Sequence, residues 1–113
     1  MATWDDIVTL CEAELTEVER STSYNTPALK VRGKLFARLK ENGEQIAVFV
    51  DFMEREALVR SNPDAYVVTD HYRDYPMVLV NLGAAPADEL REVLIESWRR
   101  RAPKKLVAEL DGA

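Results

Sequence analysis

The dipeptide Asn42-Gly43 constrains the fold of this chain more than any other feature of its sequence. Asn-Gly favours a type I′ turn, because both central positions need positive φ, and such a turn joins neighbouring antiparallel strands. β-compatible runs flank it over residues 34–41 and 44–50. With the turn at 42–43, Glu41 faces Glu44, Leu39 faces Ile46, Ala37 faces Val48 and Phe36 faces Phe49. Leu35, Ala37 and Leu39 then share a core face with Ile46, Val48 and Val50. Lys34, Phe36, Arg38 and Lys40 share the other face with Gln45, Ala47 and Phe49. A slip of one residue would exchange the two faces. Arg32-Gly33 punctuates the chain in the same way and adds a strand over 25–31.

Helical periodicity flanks these strands. Thr3 and Asp6 stand at capping-box spacing. Trp4, Ile7, Val8, Cys11, Leu15 and Val18 then form one apolar stripe of a helix expected to end near Arg20. Asp51 caps a second, short helix that closes around Ser61-Asn62-Pro63. Strands are expected over 65–70 and 77–82, joined by the polar, aromatic stretch Asp70–Pro76. Pro86 opens a helix that runs to about Arg101 with Leu90, Val93, Leu94 and Trp98 as its stripe. Pro103 ends it, and Lys104–Leu110 supplies a last turn or two of helix. The order is helix, three strands, helix, two strands, helix. It predicts an α+β fold: a single antiparallel β-sheet of five strands, with helices packed on one face and the other open to water. Trp4, Leu15, Leu35, Val48, Val80, Leu94 and Trp98 are the expected core. The 113 residues suit one domain.

Little in the chain points to catalysis. Its single histidine, His71, lies in the stretch 70–76, and no Cys-x-x-Cys, His-Glu-x-x-His, phosphate-loop or dinucleotide pattern occurs. Asp70, His71 and Asp74 form the one cluster with metal-ligand chemistry, and a polar loop is the simpler reading. No metal, cofactor or catalytic residue is expected. Cys11 lies on an apolar stripe and reads as a core residue, since a reactive thiolate needs an accessible, electropositive setting. A lone cysteine cannot form an internal disulfide, which points to a reducing compartment. The acidic start MATWDDIVTL lacks the basic beginning of a secretory signal, and no apolar run reaches the roughly 20 residues of a membrane span. A cytoplasmic protein with no membrane contact is expected.

The net charge is −5, but cations are concentrated. Lys30, Arg32, Lys34, Arg38 and Lys40 form one block without acids. Arg99, Arg100, Arg101, Lys104 and Lys105 form another. Phe36 and Phe49 fall among the first set on the predicted outer face. Rings that stack on bases beside cations that neutralise phosphates are how single-strand-binding sheets work. These twelve residues are therefore the candidate nucleic-acid contacts. Two plainer accounts stand beside that one: the blocks are solvated faces, and Arg99–Arg101 complement the dipole at a helix end. Two functions stay open, a module that binds nucleic-acid backbone and a protein-interaction or small-ligand module.

Several stretches together resemble the MmcQ/YjbR family. They are Trp4; Ser21-Thr-Ser-Tyr24 leading into Thr26-Pro-Ala-Leu-Lys-Val-Arg-Gly-Lys-Leu-Phe-Ala-Arg38; Thr69-Asp-His-Tyr72; Tyr75-Pro-Met-Val-Leu79; and Glu96-Ser-Trp98 followed by Ala102-Pro-Lys-Lys-Leu106. The resemblance implies a frataxin-like (CyaY-like) fold. It also implies a DNA-binding role with hairpins projecting as a double wing, and brings no catalytic residues with it.

Overall fold

The computed structural model describes residues 2–112. Helix α1, Trp4–Glu14, begins on the expected capping box: Asp6 N donates to Thr3 Oγ1 at 3.2 Å, and Thr3 N donates to the Asp6 carboxylate at 2.9 Å. It stops earlier than its stripe suggests. Leu15 is extended, Glu17 has φ 52°, and the chain doubles back as strand β1, Val18–Ser23. Its first half, residues 18–20, lies where the sequence predicts helix. Val18 continues the helical spacing by coincidence, and β1 is an edge strand whose polar side chains carry no clear alternation.

The remaining elements are β2 (Thr26–Val31), β3 (Lys34–Leu39), β4 (Gln45–Phe49), α2 (Phe52–Ser61), β5 (Tyr66–Val67), a 3-10 turn (Asp70–Tyr72), β6 (Met77–Asn81), α3 (Ala87–Arg101) and α4 (Lys104–Leu110). The sheet therefore has six strands, not five, in the order β1-β2-β3-β4-β6-β5, with every pair antiparallel.

The β3–β4 register is as expected: Ala37 faces Val48, Arg38 faces Ala47 and Leu39 faces Ile46. The turn differs. Lys40 N donates to Gln45 O at 2.8 Å and Gly43 N to Lys40 O at 2.9 Å, so residues 41–44 form a four-residue loop. Only Gly43 in it has positive φ, 71°. Asn42 contributes through its side-chain oxygen, which accepts Glu44 N at 2.9 Å and Gln45 N at 3.1 Å. A two-residue turn and this four-residue loop leave the register unchanged, and Glu41 and Glu44 become loop residues.

A β-bulge corrects the faces at the start of β3. Ala37 pairs with Leu29 but Leu35 pairs with Lys30, which leaves Phe36 without a partner in β2. An extra residue shifts the in–out alternation by one. Phe36 accordingly joins Ala37 in the helix-covered core, 0% exposed, and does not face Phe49 on the outer surface. Leu35 turns to the opposite face and is half-buried.

The main core lies between one face of the sheet and the helices. Ile7, Val8 and Cys11 of α1, Leu90, Val93, Leu94 and Trp98 of α3, and Leu106 of α4 pack with Leu29, Val31, Ile46, Val48, Val78 and Val80. Leu15, Val48, Val80, Leu94 and Trp98 are buried as expected, whereas Trp4 is half-buried. No helix among the described residues is long and apolar enough to cross a membrane. The other face is not fully open: Ala47, Met77 and Leu79 are buried there with Tyr72, which comes from the stretch 70–76 folded over the sheet.

Candidate functional site

Arg38 of β3 and Lys40, one residue past its end, stand two apart, and both project from the helix-free face. A cleft of about 510 Å³ opens around them. Its floor is Leu35, Phe49 and Met77, and its walls are Tyr24, Glu41, His71, Tyr72 and Tyr75.

Arg38 is only 5% exposed. Its Nε donates to Ser23 O at 3.0 Å, its Nη2 pairs with Glu41 Oε1, and the guanidinium lies 5.1 Å from the centre of the Tyr24 ring. Lys40 Nζ donates to Tyr72 Oη at 2.8 Å and lies 3.7 Å from Glu41 Oε2. The Glu41 carboxyl is held below the usual carboxylate range, first by its own backbone N–H and then by Arg38. Tyr24, 85% exposed, and Tyr75, 56% exposed, stand on the rim. The His71 ring meets Tyr72 edge-on at 4.9 Å between centroids.

The wall formed by 70–76 is held by Arg55 of α2. Its Nη1 donates to the carbonyls of Tyr72, Tyr75 and Met77 at 3.1, 2.8 and 3.1 Å, and its Nη2 to that of Arg73 at 2.9 Å. A guanidinium presents five donors in one plane, which suits gathering several carbonyls of one loop.

The floor depends on α3. Ser97 Oγ accepts Phe49 N at 2.9 Å and donates to Phe36 O. These backbone groups lie where β3 and β4 part beyond the Ala37–Val48 pair. One helical turn on, Arg101 Nε donates to Leu35 O at 2.8 Å, with the guanidinium against the Phe49 ring.

The structure thus brings together four of the twelve candidate contacts: Arg38, Lys40 and Phe49 in the cleft, and Arg101 behind Phe49. Lys30 pairs with Leu35 on β2 and is half-buried. Phe36 is in the core. Arg32 and Lys34 flank the β2–β3 turn, where Arg32 pairs with Glu17. Arg99 pairs with Asp111 and Glu96, and Arg100 lies 4.0 Å from Asp51. Lys104 and Lys105 are exposed at the start of α4. Of the second block, Arg101 reaches the cleft, while Arg99 and Arg100 pair with carboxylates away from it. Asp70 pairs with Arg73 at 3.9 Å, and among the described residues no three His, Cys, Asp or Glu side chains gather as a metal site would need.

Sequence reading missed Tyr24, Leu35, Glu41, Arg55 and Ser97 as site residues. The density of rings in 70–76 was visible, but nothing local told which surface those rings would cover. Two cations, one carboxylate and several rings around a cleft of this size suit a planar organic anion. Ligand pockets usually measure about 300–1,000 Å³.

The YjbR family model matches residues 13–100. Uncharacterised proteins of Mycobacterium tuberculosis and Mycobacterium bovis are each 29% identical over 121 residues, covering 95% of this chain and 94% of the relative. A crystal structure of a Deinococcus radiodurans protein with a DUF419 domain superposes with a TM-score of 0.77 at 24% identity, covering 98% of this chain and 89% of that one. At that identity the likeness speaks for the fold.

Proposed function

We propose, from the premise that the chain belongs to the YjbR family, that it is a non-catalytic binding module whose working surface is the cleft on the helix-free face. One observation carries this reading: Arg38 is buried beneath Tyr24 and beside Lys40, at the bottom of an aromatic cleft. A charge held in such a setting binds an anion more strongly than an exposed one does, because less water competes for it. The aromatic walls supply apolar contact and fix the plane of a bound ring. The lone buried thiol of Cys11 suits a reducing cytoplasm. The frataxin-like reading of the fold belongs to the same proposal, and it brings no iron chemistry with it.

DNA binding is the second reading. It is favoured by Arg38 and Lys40 standing with Phe49 in one cleft and Arg101 against the Phe49 ring. Its weakness is electrostatic, since Arg32, Arg38, Arg99 and Arg100 each already have a carboxylate partner. Fewer free cations release fewer counterions from a phosphate backbone.

Chemical-shift mapping with small planar anions and with single- and double-stranded oligonucleotides, at low and moderate salt, separates the two. The cleft reading expects shifts around Arg38, Lys40 and Tyr72 with small anions, and oligonucleotides bound no more tightly than a mononucleotide. Oligonucleotides bound far more tightly, with a steep salt dependence, would put DNA first. No shifts with any ligand would remove the cleft as a binding site.

A further inference from the structure

Arg38 and Lys40 already hold a carboxylate, and it belongs to the chain itself. Glu41 follows Lys40 into the β3–β4 loop and folds back, with Oε1 on Arg38 Nη2 and Oε2 3.7 Å from Lys40 Nζ. The three side chains are unequally buried. Those of Arg38 and Lys40 keep 6% and 18% of their exposure, whereas Glu41 keeps 63%. The cations are fixed: Arg38 by Ser23 O and the strand, Lys40 by Tyr72 Oη. The anion comes from a solvent-exposed loop. A buried guanidinium needs a partner, because one left unpaired costs far more than its pair contributes. An exposed glutamate satisfies that need at little net gain, since water and salt compete for it. Meanwhile Tyr24 and Tyr75 expose large rings on the rim, and exposed aromatic surface around a concave site marks a place where something binds.

We propose that Glu41 is a built-in stand-in for the ligand of this cleft, and that the ligand is an aromatic carboxylate. Its carboxylate replaces that of Glu41 on Arg38 and Lys40, its ring lies among Tyr24, Phe49 and Tyr75, and the Glu41 side chain swings into water. The proposal rests on the cleft reading above and adds the ligand's charged group and the device that excludes weaker anions. A carboxylate matches the leaving group in charge and in its two-oxygen shape. The exchange therefore leaves the net charge around Arg38 and Lys40 unchanged.

The test is calorimetric titration of the intact chain and of Glu41→Gln with 2-naphthoate, its neutral amide, and adenosine monophosphate. Gln keeps the length of the side chain and an oxygen that can still accept from Arg38 Nη2, and a melting curve of the variant checks that it folds before it is titrated. The naphthoate should bind the wild type, and bind Glu41→Gln about two- to fivefold more tightly, the gain from removing a weak competing ion pair. Lys40→Met should weaken naphthoate binding by at least the same factor. The proposal is overturned by equal or weaker naphthoate binding to Glu41→Gln, by naphthamide binding as well as naphthoate, or by unchanged binding to Lys40→Met. Adenosine monophosphate bound without naphthoate would overturn the carboxylate class and leave the cleft reading standing. None of the three bound by either form removes both.

Discussion

The guanidinium of Arg101 rests 4.2 Å from the centre of the Phe49 ring, although Arg101 belongs to the helix on the other side of the sheet. The contact is possible because β3 and β4 part at the Phe36 bulge and the end of α3 fills the gap. Removing the side chain in Arg101→Ala loses this cation–ring contact and the bond to Leu35 O. The expected cost is about 1–2 kcal/mol. Urea denaturation measures it, and an unchanged midpoint would make the contact incidental.

Ser97→Ala is expected to cost more than its size suggests. The hydroxyl serves both Phe49 N–H and Phe36 C=O, and Ser97 is fully buried. Without it, both backbone groups lose a partner where water cannot replace it, at about 1–3 kcal/mol. Hydrogen exchange at the Phe49 amide should accelerate with it. A fall in stability with that amide still protected would show that another acceptor had taken over.

Arg55→Met should release the cleft wall and leave the core standing. Four carbonyls of residues 72–77 share this guanidinium, and α2 has no fully buried residue to hold it independently. Exchange protection should fall across 70–77 and in α2, while β3, β4 and α3 stay protected. Loss of protection throughout the sheet would mean that Arg55 supports the whole fold.

Stability should fall on both sides of neutrality. Glu12, Glu14 and Glu17 have carboxyls held below the usual 4.5 by hydrogen bonds from Arg20, Arg91 and Arg32. A depressed folded pKa adds stability above the unfolded value, and that stability is lost as pH falls through the folded one. The decline should therefore begin near pH 4.5. On the alkaline side, burial pushes the Cys11 thiol from 9.0 to about 12, with Glu14 and Glu12 adding to the shift. The unfolded chain then ionises where the folded chain cannot, so this contribution is present below pH 9 and lost between pH 9 and about 12. Melting temperatures across pH, with Cys11→Ala as control, check both limbs. A thiol reagent should label Cys11 only as fast as the chain opens; rapid native labelling would contradict its burial.

The sequence carried those parts of the fold that depend on neighbours in the chain. The caps at Thr3 and Asp51, the stripe of α3 and the β3–β4 register were legible because each rests on residues a few positions apart. The bulge was not. Phe36 is apolar and Leu35 is apolar, so the alternation reads equally well in either phase, and only packing against α3 and β2 decides between them. That one shift removed Phe36 from the expected surface and put Leu35 there. The cleft was half legible: Arg38, Lys40 and Phe49 were singled out, but Tyr24, Glu41, Arg55 and Tyr72 reach them through turns and a crossing loop.

The sheet also ends unevenly, with β5 only two residues long and β1 six. A six-residue free edge invites another chain to add a strand, the first step towards aggregation. Here Glu19 and Arg20 sit along it, Arg20 is tied back to Glu12, and Glu17 bends the backbone where the strand begins. The polar character that hid the start of β1 is therefore also what makes that edge a poor template for another chain.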